Sequence, residues 1–366
     1  MPEGDVRIPT SARAAFGSGY LTDTWYFVAL SRDLKRGAME QREILGEAVL
    51  LGRTQAGEAF AIGNVCPHRA ALLSAGRMQR EADGSATVEC PYHGWRYGTD
   101  GACKAIPSLV EDKTYDISRI RVRRYPTRES QGMVFAWFSS DPRFDGEPPE
   151  PPPLFPGVVG GAPKAVSRMD FEIHVDHAAV MLVDPTHAPF VHAQWWWRSA
   201  KSQITKSKRF SPVEAGFVME RHPPSKNSRP YVLLGGEPLT EITFRLPGIR
   251  WEHVEVGRRQ VLSLAFLTPV NETRTHMTQI IWSDHPMFLL AGAFVRMGAQ
   301  RFLEQDRDLA VVQKQGLERD PSFIWIDDAD RQARWYVAMK REWVESHSEG
   351  RPFVNPVEAA TLTWRS

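Results

Sequence analysis

Cys66-Pro67-His68-Arg69 and Cys90-Pro91-Tyr92-His93-Gly94-Trp95-Arg96-Tyr97-Gly98 are the stretches on which the reading of this chain turns. Each offers one thiolate and one imidazole, and 21 residues separate His68 from Cys90. Two thiolates and two imidazoles suit a [2Fe–2S] cluster in which two His replace two Cys on one iron. The same set would hold a tetrahedral zinc. The bare ligand spacing leaves both open.

The surroundings narrow the choice. The segments Cys66-Pro67-His68-Arg69 and Pro91 to Gly98, followed by Asp100-Gly101 and Ile106-Pro107-Ser108, resemble the two cluster loops of Rieske proteins. That resemblance implies that Cys66, His68, Cys90 and His93 hold a Rieske [2Fe–2S] cluster. Residues 24–140 read as short strands: Trp25 to Leu30, Ala48 to Arg53 and Gly132 to Phe138 are rich in β-branched and aromatic residues. Turn signals at Ala56-Gly57, Asp83-Gly84 and Asp100-Gly101 separate them. An all-β domain with the ligand loops at hairpin tips is expected, with Glu81 to Ser85 as a surface hairpin extension. Cys103 reads as a small buried hydrophobe.

At 366 residues the chain has room for two domains. Lys plus Arg is 45 and Asp plus Glu is 44, so nothing points to nucleic acid or an anionic membrane as partner. Polar residues interrupt every apolar run well before the roughly 20 residues that span a bilayer. With Glu3, Asp5 and Arg7 and no apolar core, the first residues are not expected to be a secretory signal. Three cysteines make no disulfide framework, and a cytoplasmic setting is expected for thiols kept free for iron.

Pro142, Pro148, Pro149, Pro151, Pro152, Pro153 and Pro156 mark a semi-rigid connector. The expected organisation is an N-terminal segment 1–23, a Rieske domain 24–140, a linker 141–163 and a catalytic domain 164–366. Strand-like pieces at 168–175, 214–221, 240–246, 251–257, 260–268 and 274–282 alternate with helical periods around 177–192, over 287–318 and over 328–346. This predicts an α+β domain, an antiparallel sheet packed by helices. No Gly-x-Gly-x-x-Gly follows a strand, so no nicotinamide or flavin site is recognisable.

Asp184-Pro185-Thr186-His187-Ala188-Pro189-Phe190-Val191-His192 holds a second candidate site. On one unbroken helix two His five positions apart would diverge by about 140°. Pro189 is expected to break the helix between them, and two His on either side of a break can converge on one ion. A carboxylate would complete a facial triad of the non-haem Fe(II) type. With 288–317 taken as a helix, Phe288, Val295, Ala299, Phe302, Leu303, Leu309, Ala310 and Leu317 lie within about 60° of Asp306. Asp306 is therefore central on the apolar face, and a buried carboxylate needs a partner, a metal or an arginine. Asp308 falls on the opposite face with Arg301 and Glu304. His174 and His177 read as structural histidines.

Taken together, the chain resembles the oxygenase component of the Rieske non-haem iron family, the ring-hydroxylating and demethylating oxygenases. The likeness runs from the Trp25-Tyr26 strand through both cluster loops to His187, His192 and the late Gln305-Asp306-Arg307. It implies that His187, His192 and Asp306 hold a mononuclear Fe(II). It further implies O₂ as co-substrate, an NAD(P)H-dependent reductase with or without a ferredoxin as electron source, and a small apolar aromatic or polycyclic substrate. The chain length and the Gln305-Asp306 context look more like monooxygenases and demethylases than cis-dihydroxylating dioxygenases. Family members assemble as head-to-tail trimers in which the aspartate before the first iron His bridges to a cluster His of the adjacent subunit. The resemblance gives that role to Asp184. Locally, Asp184-Pro185 also reads as a helix start, with Asp as N-cap. Where the family often has an asparagine just before that aspartate, this chain has Val180 and Met181. Phe190 and Trp195 are candidate pocket walls, and the basic stretch Lys201 to Arg209 reads as a solvated segment. The alternative is a Rieske electron carrier with a non-catalytic C-terminal binding domain, which would have no use for His187, His192 and Asp306.

Overall fold

The computed structural model describes residues 16–110, 115–157, 161–192, 201, 203–225, 231, 234–290, 292–319 and 321–366. The chain divides into two units, one of residues 22–154 and one that joins 1–21 to 155–366.

The first unit is built from three antiparallel sheets. Strands β1 (Thr24–Leu30), β11 (Met133–Phe138) and β10 (Thr127–Ser130) form one; β2 (Met39–Ile44), β3 (Glu47–Arg53), β4 (Ala59–Gly63) and β9 (Arg124–Tyr125) form the second. The third joins β5 (Arg77–Arg80), β6 (Ala86–Glu89), β7 (Arg96–Gly98) and β8 (Cys103–Ala105). Every side chain of β11 is buried, as an uninterrupted Met-Val-Phe-Ala-Trp-Phe run requires. β5 and β6 make the hairpin whose turn is Glu81 to Ser85, closed by Glu81 N–H to Ser85 O at 2.9 Å. β6 and β7 pair Val88 with Tyr97, and the loop between them carries Cys90 and His93. Cys66, Cys90 and Tyr97 share a core with Leu50, Phe60, Ile62, Leu73 and Val88. Cys103 is buried in the same core, its Sγ 3.8 Å from Ala105 O.

The second unit is an eight-stranded antiparallel sheet. Its spatial order is β12 (Ala165–Phe171), β18 (Arg274–Ser283), β17 (Arg259–Asn271), β16 (Ile249–Val256), β15 (Leu239–Arg245), β14 (Gly216–His222), β13 (Thr205–Val213) and β19 (Ala360–Arg365). Helices α1 (Val175–Val183), α4 (Gly292–Leu317) and α5 (Asp327–Ser348) contribute Ala178, Leu303, Ala310 and Tyr336 to one core with Phe171, Met277, Leu267, Phe244 and Phe217 of the sheet. Two short helices, α2 (Ala188–Val191) and α3 (Met287–Leu290), are also among the described residues. No described helix is long and apolar enough to cross a membrane.

The unit boundaries fall at 21/22 and 154/155, against a domain expected over 24–140, a linker over 141–163 and a second domain from 164. Phe16 and Leu21 are buried in the core of the second unit, and Phe155 packs edge-on against Trp251 and Phe266. Apolar burial, not proline content, decides where each segment belongs. The basic stretch Lys201 to Arg209 corrects another expectation. From Thr205 it forms β13, between β14 and β19, and Lys206 is buried with its Nζ donating to Ser366 Oγ at 2.8 Å.

Candidate metal centres

The two cysteine loops are closed by the same hydrogen bonds. Ala71 O accepts from Cys66 N–H and Cys66 O from Ala70 N–H; Trp95 O accepts from Cys90 N–H and Cys90 O from Gly94 N–H, all at 2.8–3.1 Å. Both cysteines are buried, while His93 is exposed and His68 half-buried. The two imidazoles face each other at 4.6 Å between ring centroids, and Trp95 stacks on His68 at 4.5 Å. Burial pushes the Cys90 thiol up, and the neighbouring Cys66 thiol adds to that. Tyr97 Oη lies 3.3 Å from Cys66 Sγ.

This pattern tests the zinc alternative. A single tetrahedral ion needs all four ligand atoms gathered about one point. Among the described residues, only His187, His192 and Asp306 bring three or more His, Cys, Asp or Glu ligand atoms within 4.8 Å of one another. The Cys–His quartet instead splits, thiol beside thiol inside and imidazole beside imidazole outside. That split fits two irons.

The other site is assembled from a loop and a helix. α1 ends at Val183, and Asp184 turns the chain by accepting Thr186 N–H at 2.6 Å and Thr186 Oγ at 2.7 Å. His187 caps α2, and His192 follows it. His187 Nε2 lies 3.3 Å from His192 Nε2 and 3.8 Å from Asp306 Oδ1, and His192 Nε2 lies 3.1 Å from Asp306 Oδ1. Ligand atoms bound side by side at about 2.1 Å from a metal sit about 3 Å apart, so the spacing fits one ion.

The other nitrogens settle what these atoms present. His192 Nδ1 faces Gln305 Oε1 at 3.1 Å, and His187 Nδ1 faces Asp184 Oδ2 at 3.4 Å. Both partners are acceptors, an arrangement that favours the proton on each Nδ1 and leaves each Nε2 to face Asp306 Oδ1. Asp306 Oδ1 is buried without a hydrogen-bond donor. With that tautomer on both rings, three ligand atoms turn their lone pairs on one largely buried point, and a cation there relieves their repulsion. Burial alone would push the His187 imidazole down, but Asp184, with Asp306 behind it, holds it above its ordinary value. Burial would likewise raise the Asp184 carboxyl, yet His187 and Thr186 hold it below the usual carboxylate range.

Comparison with known proteins finds a domain family over each part of the chain. The Rieske [2Fe–2S] domain family matches residues 24–126, and the vanillate O-demethylase oxygenase C-terminal domain matches residues 178–342. The chain belongs to the Rieske non-haem iron oxygenases. A crystal structure of dicamba monooxygenase bound to 3,6-dichlorosalicylic acid shares the fold at TM-score 0.71 and 19% identity, covering 90% of this chain and 99% of that one. Among curated proteins, chlorophyllide a oxygenase of Arabidopsis thaliana is 29% identical over 48% of this chain, and 4β-methylsterol monooxygenase of Methylococcus capsulatus is 30% identical over 43%. These matches span only 30% and 40% of the relatives' own lengths.

Within this Rieske oxygenase fold the sequence expectations fare unevenly. The chain breaks before the histidines, at Asp184 to Thr186, and not between them: His187 and His192 flank α2, and Pro189 lies in its first turn instead of interrupting it. A proline costs nothing at a first helical turn, where its missing N–H has no partner anyway. Asp184 is not the N-cap of a helix; it is the C-cap residue of α1 and holds an Asx turn. Asp306 is buried and its contacts are the two histidines, not an arginine, while Asp308 is exposed and pairs with Arg307. Phe190 is 62% exposed. Trp195 lies outside the described residues. The ring that stacks on His192 is Phe302, at 3.4 Å between centroids. Sequence alone assigns Phe302 and Gln305 no role; of the two, only Phe302 has a signal, its place four residues before Asp306 on the apolar stripe.

Proposed function

We propose that this chain is the terminal oxygenase of an electron-transfer system. Cys66, His68, Cys90 and His93 hold the cluster, His187, His192 and Asp306 hold the iron, and a separate reductase, directly or through a ferredoxin, supplies electrons. The observation that carries this reading is the gathering of ligand atoms from His187, His192 and Asp306 within 4.8 Å of one another, with Asp306 Oδ1 buried and not hydrogen-bonded. An electron carrier has no use for it.

Bound there, iron would supply the activation of O₂. The protein's part is to hold three ligands on one side and leave other positions open. Substrate C–H, O₂, two electrons and two protons then give C–OH and water; at a methyl on oxygen or nitrogen the same hydroxylation leads to demethylation. The dicamba monooxygenase fold and the methylsterol and chlorophyllide a oxygenase matches support an apolar aromatic or polycyclic substrate. Some relatives are named as chloroplastic, so the cytoplasmic setting rests on cysteine usage alone.

Electrons would pass between subunits of a homotrimer. The exposed Tyr92, Val65, Leu72, Leu109 and Val110 on and beside the cluster loops support a docking face there. Metal and sulfide analysis tests the assignment. About three irons per chain and a Rieske electron paramagnetic resonance signal are expected. About two irons would favour the carrier, and one zinc without sulfide would end the cluster reading. A substrate-depletion screen with reductase and O₂ would then identify what is oxidised.

A further inference from the structure

We propose that Gln305 is the positioning residue that fixes His192 as an Nε2 ligand, and that it does so as a neutral partner where His187 has a carboxylate. This rests on the reading of His187, His192 and Asp306 as one metal site.

One turn of α4 grips His192 from three directions. Phe302, Gln305 and Asp306 stand at i, i+3 and i+4, a spacing that brings side chains to one helix face. The Phe302 ring lies against the imidazole at an interplanar angle of 18°. Gln305 Oε1 takes Nδ1 at 3.1 Å, and Asp306 Oδ1 lies 3.1 Å from Nε2. His192 is 1% exposed, so water offers its Nδ1–H no substitute partner. Removing Gln305 therefore leaves a buried donor unpaired and the ring free to choose its other tautomer, which turns an N–H toward the metal position.

His187 is held differently. Its Nδ1 partner, Asp184, belongs to its own loop and is itself fixed by Thr186. A carboxylate behind a ligating imidazole raises its basicity, whereas an amide orients the ring without adding charge. The two histidines are thus inequivalent ligands by construction. A second carboxylate at position 305 would place another negative charge beside Asp306 and erase the difference.

The test uses the full chain with its cluster, with the mononuclear site stripped and titrated anaerobically with Fe(II), then with Co(II) as a spectroscopic probe. Gln305→Leu should weaken metal binding about 10–100-fold and shift the Co(II) visible bands. Gln305→Asn, too short to reach Nδ1, should behave similarly. Gln305→Glu should keep or tighten binding yet shift the bands. Glu304→Gln, which alters only the exposed pair with Arg301, should match the wild type. Wild-type affinity and bands in Gln305→Leu overturn the inference. Should that variant fail to fold, unchanged bands in Gln305→Glu overturn it equally. A wild-type protein that binds neither metal at this site overturns the proposed function itself, a result distinct from equal binding by wild type and variant.

Discussion

Ala70 and Gly94 occupy the same place in the two cysteine loops, each with a positive φ, 56° and 71°, and each donating its N–H to the cysteine four residues before it. A left-handed backbone costs an alanine about 1 kcal/mol and a glycine almost nothing. The first loop therefore holds strain that the second avoids. Ala70→Gly should keep the cluster and leave stability equal or higher by up to about 1 kcal/mol. Gly94→Val should lose the cluster, because a β-branched residue resists this φ and its Cβ would sit 3.3 Å from Pro107 Cγ. Visible circular dichroism and thermal unfolding read both. Cluster loss in Ala70→Gly with retention in Gly94→Val would show that backbone conformation does not set these loops.

Asp306 and Asp308 stand two residues apart on α4 in opposite environments. Asp306→Ala should empty the mononuclear site and abolish turnover while leaving the cluster spectrum intact. Asp308→Ala removes only an exposed pair with Arg307, worth about 0.5 kcal/mol or less, and should change neither. Iron analysis of the two purified variants decides it, and the reverse outcome would mean that the wrong face of α4 meets the metal.

The burial of Asp306 shows why parts of the site were legible in sequence. A carboxylate centred in an apolar helical stripe violates the local pattern, and such violations mark function. The cluster loops were legible for a related reason, since four chemically special residues crowd into short turns. β13 was not, because its buried face carries Lys206 beside Phe210, and a partner of that charge, Ser366, lies 160 residues on. Gln305 was invisible too. Nothing local tells an amide bonded to a distant imidazole from one that faces water.

A second buried charge lies at the other end of α1. Asp176 is inaccessible and accepts from Lys340 Nζ, Tyr336 Oη and Gly17 N–H, each at 2.6 Å. Lys340 also donates to Ser18 O, so the ion pair ties the N-terminal segment to α1 and α5. Lys340→Met should cost about 3–5 kcal/mol, because it leaves a buried carboxylate without its cation. Adding Asp176→Asn should recover part of that loss. Denaturant unfolding of the single and double variants measures the recovery, and a double variant less stable than Lys340→Met would contradict the pairing.

His177 should make this unit acid-sensitive. Burial lowers its imidazole to about 4, against the ordinary 6.5, with His174 and Lys340 adding to the burial and Asp176 opposing it. Its ring packs edge-on against Phe16. A folded pKa below the unfolded one means the unfolded chain binds the proton first. The stability is complete above about pH 6.5 and falls as pH drops toward about 4, by about 3 kcal/mol in all. His177→Phe removes the titration, so its stability should fall less over that window than the wild type's. Parallel slopes for the two proteins would place the acid sensitivity elsewhere.

Asp184 separates a structural role from an electronic one. Its Oδ1 accepts from Thr186 N–H and Oγ, and its Oδ2 faces His187 Nδ1. An asparagine can keep the Thr186 bonds through its own Oδ1, so Asp184→Asn should preserve the turn that delivers His187. Loss of one such bond elsewhere would cost about 1 kcal/mol and leave a folded enzyme active. What asparagine cannot keep is the negative charge, and with it an acceptor on both oxygens for two imidazoles at once. If Asp184 bridges His187 to a cluster histidine of the adjacent subunit, the variant should hold cluster and iron at wild-type levels and lose nearly all turnover. Rapid mixing isolates that step. The pre-reduced variant, given substrate and O₂, should reoxidise its cluster far more slowly than the wild type. Reoxidation at the wild-type rate would leave Asp184 only its part in the turn.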